Sequence, residues 1–312
     1  KTPLEVCSNL IRSTASSLGH FARIANSAEI ELLQDDLVVN ACTWLGETKS
    51  ECHRFAGVVL LTQLAINSPN IVHNKRKNVF SNVFFVLSDK NSLVREASGE
   101  CFGTILEVVS QREAIGDYVR QSLNQVEAGF ASNTTERILG SLVIFALLVD
   151  SAVVSNSELI QIINSKLTGN SKQLVLPDVI WRVLQRKDSK DPEIRKKTIQ
   201  IIPKLAGAFS TVFVIQNPYT GTSNFLVYSL QFLLNSIRAK RERNFCFLSL
   251  GNLFQSAATA LRAVDMVQEI LPVIDEGFKY PFCMEALQCL TMIVNSSVSS
   301  RRCIGLKLID NM

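Results

Sequence analysis

The 312-residue sequence predicts an all-α fold in which helical hairpins stack into an α-α superhelix, and three observations carry that prediction. First, residues 88–113 read as a tight turn feeding an amphipathic helix. Asp89 and Asn91 are side chains that bond nearby backbone N–H groups, and Leu93, Ala97, Cys101, Ile105 and Val108 recur at steps of three and four. An apolar stripe over 79–87 makes a second helix before the turn, so the unit is a hairpin. Second, the hairpin repeats. Arg95 follows Arg54 by 41 residues and Arg137 follows Arg95 by 42; Arg195 comes 58 later and Arg243 another 48. A step of 41 beyond Arg243 reaches Met284-Glu-Ala286, and the same step before Arg54 reaches Ser13-Thr-Ala15, both in apolar helical stretches that lack the Arg. About seven units fit, and a period of about 40–47 with two helices per unit is that of HEAT or armadillo repeats. Third, 47% of the residues are apolar but only 7% aromatic, so small and aliphatic side chains must fill the core, as stacked helices require.

Each element follows from local signals. Residues 4–25 form a first helix with Leu10, Ala15, Leu18 and Ala22 on its stripe, and 30–45 form the next. Gly46 suits a left-handed helix end, after which 52–67 form the second helix of that hairpin, stopped at Ser68-Pro69. Residues 117–130 and 134–149 make the next pair, with Thr134 or Thr135 as N-cap. The rhythm then breaks, because the 58-residue step is about 16 longer than one period and the excess falls where Ser, Asn, Gly and Lys thicken. Residues 151–176 are therefore read as a variable loop insertion between hairpins at 1–150 (about four) and 177–312 (about three). Residues 178–185 and 192–208 form the next pair. Pro192 is placed at a first turn, and Pro203 inside the helix should kink it. The turn 217–221 leads to helices 225–237 and 242–258, then 263–278 and 282–294; 299–312 begins a helix with no partner. Neither end carries the polar cap a solenoid needs, so the chain reads as a piece of something larger, truncated at its C-terminus.

Composition narrows the function. A net charge of +4 is too weak a bias to argue for nucleic acid or membrane, and the apolar run 140–149 is too short to span a bilayer. The start has no signal-peptide pattern, so the chain reads as intracellular. Eight cysteines, none in C-x-x-C spacing, read as buried free thiols of a reducing compartment. No phosphate-binding glycine loop, G-K-[ST], H-R-D, D-F-G or G-x-S-x-G motif occurs. His20, His53 and His73 are isolated, so no catalytic residue, cofactor or metal site is assigned and the segment reads as non-enzymatic. Arg54, Asp89, Arg95, Arg137, Asp191, Arg195 and Arg243 are read as structural residues of the repeat turns, each Arg bonding turn carbonyls or an acid of a neighbouring unit. The basic positions Lys187, Lys190, Lys196, Lys197, Lys204, Arg238, Lys240 and Arg241 cluster in two turns and read as a solvated edge, the alternative being contact with an acidic partner surface.

An ordered series of segments also resembles the N-terminal HEAT region of the target of rapamycin (TOR) Ser/Thr kinases, of the phosphatidylinositol-3-kinase-related family. It comprises Trp44-Leu-Gly46 with Arg54-Phe-Ala56, Val94-Arg-Glu-Ala97, Ser110-Gln-Arg-Glu113, Glu127-Ala-Gly-Phe130, Glu136-Arg-Ile-Leu-Gly140, Asp188-Ser-Lys-Asp191, Ile201-Ile-Pro-Lys-Leu-Ala206 and Lys240-Arg-Glu-Arg243. The insertion falls where that family also carries one. The resemblance implies a non-catalytic scaffold in a dimeric kinase complex of nutrient and growth signalling. Its partners would be Raptor- or Rictor-type subunits, a Rheb-like small GTPase and other parts of the kinase, in the cytoplasm or on endomembranes through the complex. The alternative is a free-standing HEAT or armadillo adaptor for transport or complex assembly, which would need a repeated acidic and Asn-rich inner face that the sequence lacks.

Overall fold

In the computed structural model, residues 3–24, 28–165, 176–219, 221, 223–257, 267–279 and 282–296 are described. Among them regular structure is helical apart from one isolated bridge, Gln216 to Asn224. The chain divides into two compact units, Lys1–Ile162 and Ile163–Met312. The first holds α1 (Pro3–Ile24), α2 (Ala28–Leu45), α3 (Glu51–Asn67), α4 (Pro69–Asn74), α5 (Arg76–Val86), α6 (Ser92–Ser110), α7 (Gly116–Ala131) and α8 (Thr135–Asp150). Helix α9 (Asn156–Ser165) runs across the division. The second unit holds α10 (Leu176–Gln185) with a 3-10 turn at Arg186–Asp188, α11 (Pro192–Ala208), the short α12 (Ser210–Phe213), α13 (Phe225–Arg238), α14 (Arg243–Ser256), α15 (Val267–Phe278) and α16 (Met284–Ser296).

The all-α prediction holds, and the hairpins are where the period placed them. Helices α2/α3, α5/α6 and α7/α8 pair in the first unit, and α13/α14 and α15/α16 in the second. The second helices then stack on one another, α1 on α3, α3 on α6 and α6 on α8, and likewise α11 on α14 and α14 on α16. These shared helices are therefore apolar nearly all round. Helix α3 buries Phe55, Val58, Val59, Leu60, Leu61, Leu64 and Ala65, and α6 buries eleven residues from Val94 to Val109. Burying one such Leu or Phe contributes about 1.5–3 kcal/mol.

Helix starts follow the expected chemistry. Ser50, Asn91, Asp191 and Asn224 are N-caps whose side chains accept backbone N–H bonds from His53, Leu93, Glu193 and Val227. Thr134 caps α8 by position but makes no side-chain cap bond. Helix α11 continues through Pro203, which cannot donate to Ile199, the residue one turn back. That freed carbonyl accepts the Ser249 hydroxyl of α14, and the Pro203 carbonyl accepts Ser256 Oγ at 2.8 Å. The proline thus converts a lost helical bond into a bond between neighbouring repeats.

Two expectations need amendment. Gly46 does follow α2, but its φ is not positive; the turn closes through Gly46 N–H to Thr43 O at 3.1 Å instead, and Gly221 is the one described glycine in the left-handed region. Residues 151–176 are not wholly a loop, because Asn156–Ser165 is helical with Leu159, Ile162 and Ile163 buried. Residues 166–175, 258–266 and the expected helix at 299–312 lie outside the described residues.

Close helix packing makes opposite demands on two glycines. A Cβ on Gly57 would stand 2.6 Å from the Ala41 carbonyl oxygen, whereas one on Gly103, inside α6, would meet nothing within 4 Å. Gly57→Ala should therefore cost about 1–3 kcal/mol and Gly103→Ala should gain about 0.5–1 kcal/mol. Urea unfolding followed by circular dichroism should show their midpoints moving in opposite directions. Ser249→Ala, which orphans the Ile199 carbonyl, should lower the midpoint by the equivalent of about 1–3 kcal/mol.

Candidate functional site

The charged side chains of the turns come together as a ladder within each unit. Arg54 sits in the first turn of α3. Its Nη1 donates to the carbonyls of Glu47 (2.8 Å) and Thr48 (3.1 Å) in its own turn, while Nε and Nη2 donate to the two carboxylate oxygens of Asp89 at 2.5 and 3.2 Å in the next turn. Asp89 is 8% exposed, accepts the Asn91 N–H at 2.8 Å and holds the loop through which α5 passes into α6. One unit further, Arg95 repeats the arrangement, donating to the carbonyls of Asp89 (2.7 Å) and Lys90 (2.9 Å).

The second unit repeats the geometry. Arg195 Nη1 donates to the carbonyls of Ser189 (2.8 Å) and Lys190 (2.9 Å), and its Nε and Nη2 reach Glu242 Oε1 at 3.0 and 2.5 Å. Glu242 takes a left-handed conformation, φ 41°, at the start of α14, and Lys240 does the same at φ 57°. Such a conformation costs a non-glycine residue about 1–2 kcal/mol, and here it aims a carboxylate at the neighbouring guanidinium. Asp191 also caps α11, its carboxylate accepting the Glu193 and Ile194 N–H groups. Arg243 donates to the Glu276 carbonyl at 2.7 Å and lies over the Phe247 ring.

Arg137 departs from this pattern. Only residues 132–134 separate α7 from α8, against five residues in the turns before α3 and α6, and the guanidinium stands exposed with no partner among the described residues. It rims a cleft of about 750 Å³ together with Phe85, Lys90 and Gln125, and the Arg54–Asp89 pair forms its wall. A smaller cleft of about 460 Å³ beside Arg195 and Glu242 is lined by Lys187, Tyr228, Phe232 and Arg241.

Of the basic positions, Lys187 and Arg241 line the smaller cleft. Lys187 is drawn over the rings of Tyr228 and Phe232 and bonds Asp188, and Lys196 lies over Phe245. Lys190, Lys204, Arg238, Lys240 and Arg241 are exposed. His53 is exposed, stacks on Trp44 and has Nδ1 2.5 Å from Glu47 Oε2. His73, Arg76, Tyr118 and Glu113 form a network in which Tyr118 donates to Glu113 at 3.2 Å and Arg76 pairs with the same carboxylate. Burial and the adjacent Arg76 hold the His73 imidazolium below the ordinary histidine range. Burial acts to raise the Glu113 carboxyl, but bonds from Arg76 and Tyr118 outweigh it and the net shift is downward. Among the described residues no three His, Cys, Asp or Glu side chains are placed to hold a metal, and no helix is long and apolar enough to cross a membrane.

The cysteines divide in a way their spacing did not announce. Cys42, Cys101, Cys246, Cys283 and Cys289 are buried, and burial pushes Cys42 up to about 11 and Cys101, Cys246 and Cys289 up to about 12. Cys7 and Cys52 are only half-buried, and their sulfurs lie 3.6 Å apart. The signal for that pair was the repeat itself. Second helices stack in phase, so residues about one repeat apart become neighbours, and Cys7 and Cys52 are 45 apart.

Comparison with known proteins places this architecture. No family model matches the chain. It is similar to the Serine/threonine-protein kinase tor1 of Schizosaccharomyces pombe, 25% identical over 263 residues that make up 84% of this chain and 10% of that protein. It is also similar to Serine/threonine-protein kinase TOR of Oryza sativa subsp. japonica (23% over 240 residues, 76% and 9%) and TOR2 of Saccharomyces cerevisiae (22% over 259 residues, 81% and 10%). The chain thus spans about a tenth of the length of the curated relatives it matches. Among solved structures, two engineered proteins align over 85% and 91% of the chain with TM-scores of 0.47 and 0.35 and identities of 13% and 11%.

The ladder makes unequal demands on its arginines. Removing Arg54 leaves Asp89 charged and enclosed, so Arg54→Ala should cost about 3–5 kcal/mol. Arg95→Ala, which orphans two carbonyls, should cost about 1.5–3 kcal/mol. Arg137→Ala should fall within about 0.5 kcal/mol of the parent in urea titrations. Because His73 and Glu113 both titrate lower when folded, they stabilise the fold above their unfolded values, and that contribution is lost on acidification. The urea midpoint should accordingly fall from pH 7 to pH 5, the window entered through the unfolded histidine value of about 6.5, and His73→Gln should flatten that fall.

Proposed function

We propose that this chain, similar along most of its length to about a tenth of TOR Ser/Thr kinases, is a non-catalytic HEAT-type scaffold of such a kinase. The observation that carries this reading is the extent of the match: 84% of the chain aligns with a small share of a much longer kinase, in a region built here from stacked hairpins. Stacked repeats offer extended surfaces on which contacts are spread over many units. The turn residues Arg54, Asp89, Arg95, Asp191, Arg195 and Arg243 are proposed as the structural frame of that surface, with Arg137 left free of it. Raptor- or Rictor-type subunits, a Rheb-like small GTPase and other parts of the kinase are the partners this reading assigns. Kinase activity is assigned to the parent protein outside this segment. The location assigned is cytoplasmic, with attachment to lysosomal, vacuolar or other endomembranes through the complex.

Affinity capture with the tagged chain from a cell extract, read by mass spectrometry at low and high salt, tests this. Raptor- or Rictor-type subunits should be enriched over a control repeat protein, with recovery falling at high salt if exposed cations such as Lys240 and Arg241 contribute. Enrichment of import cargo, or no reproducible partner from a chain shown folded by circular dichroism, would overturn the scaffold reading.

A further inference from the structure

Cys7 projects from the first turns of α1 and Cys52 from the first turn of α3, and their Sγ atoms are 3.6 Å apart. The two helices are fastened beside them. The Arg12 guanidinium of α1 lies 5.3 Å from the Phe55 ring centroid of α3, and Gly19 gives α1 close approach to Gln63 and Asn67. The sulfurs are therefore held near one another by a packed helix pair. Every other described cysteine is buried, so these two are the described thiols that a small molecule in solution can reach.

We propose that Cys7 and Cys52 form a site of reversible thiol–disulfide exchange, a redox-responsive tether between α1 and α3 whose oxidant is a low-molecular-weight disulfide such as oxidised glutathione. One thiol gives its proton to solvent, and its thiolate attacks a sulfur of the small disulfide; that S–S bond breaks and the first small thiolate leaves. The second cysteine loses its proton and attacks the protein-bound sulfur of the mixed disulfide, expelling the second small thiolate. The two cysteines are oxidised to one disulfide, the small disulfide is reduced to two thiols, and a small thiol in excess reverses both steps. Reaching an S–S bond of about 2.0 Å from 3.6 Å requires the sulfurs to approach by about 1.5 Å, a movement on the scale of side-chain adjustment. The link would close a loop spanning 45 residues and add a covalent bond to α1, which otherwise joins the stack through packing, the Arg12–Glu100 ion pair and the Gln34 bond to the Ala22 carbonyl.

The 312-residue chain, fully reduced and then incubated with oxidised glutathione, should lose two hydrogens by intact mass, and a peptide map should join Cys7 to Cys52. Excess reduced glutathione should restore the starting mass. The oxidised chain should melt about 5–10 °C above the reduced one. Cys7→Ser and Cys52→Ser should each stop at one retained glutathione adduct on the remaining partner. The proposal is overturned if both cysteines stay reduced while the chain remains folded, if glutathione adducts on the parent chain never resolve, or if the link joins either cysteine to Cys303 or to a buried thiol. It is equally overturned if the oxidised chain melts no higher than the reduced one. Should a serine variant not fold, the peptide map and melting point of the parent chain decide the matter.

Discussion

A stacked hairpin has a weak point where its two helices meet, since the last carbonyls of the first helix and those of the turn have no helical partner. The guanidinium in the first turn of the second helix meets that need. Arg54, Arg95 and Arg195 each bend back onto two carbonyls of their own turn, and Arg54 and Arg195 spend their remaining donors on an acid of the next unit. Arginine suits this because its five donors sit in a fixed planar fork, so one side can face carbonyls while the other pairs with a carboxylate. Each such residue therefore fixes a turn and its neighbour at once. The left-handed backbone at Glu242 and the near-complete enclosure of Asp89 are the structural costs of presenting those acids.

Once the turns are fixed, the second helices have no choice but to stack in phase, and several features follow. Positions about one repeat apart in sequence become contacts, which brings Gly19 against Gln63, and Cys7 against Cys52. Pro203 belongs to the same logic. Within an isolated helix it would only remove a bond, but in a stack the carbonyl it frees lies against α14, where Ser249 reaches it. A local defect becomes a register mark between repeats, because a slip of one residue would leave both the carbonyl and a buried hydroxyl unsatisfied.

The hairpins were legible in the sequence because two independent signals agreed, the helical spacing of apolar residues and the recurrence of Arg near 41 residues. Asn91 and Asp191 were singled out as turn residues but not as caps, and Ser50 was not singled out; each of the three proves to be a cap four residues before its Arg. What stayed hidden depended on turn length and three-dimensional phase. Arg137 shares the spacing of the others, but the three-residue turn before α8 leaves it outside the frame. Glu242 was not singled out because its part requires a backbone conformation that no local pattern encodes. Helix α9 lay inside a polar stretch whose buried residues Leu159, Ile162 and Ile163 were outvoted by the surrounding Ser and Asn.

The frame also constrains what kind of function its surface can support. Arg54, Arg95 and Arg195, which could otherwise offer bidentate recognition to an anion, are committed to turns and acids, and Lys187 and Lys196 are drawn onto aromatic rings, whereas Arg137 stays exposed at the rim of the first cleft. The clefts beside the ladder are thus walled in part by internally compensated charge, the Arg54–Asp89 pair in one and the Arg195–Glu242 pair in the other. On the proposed scaffold reading, binding would draw on many modest contacts added along the repeats. It also makes recognition depend on the spacing between units, and that spacing is the quantity the Arg–acid ladder sets.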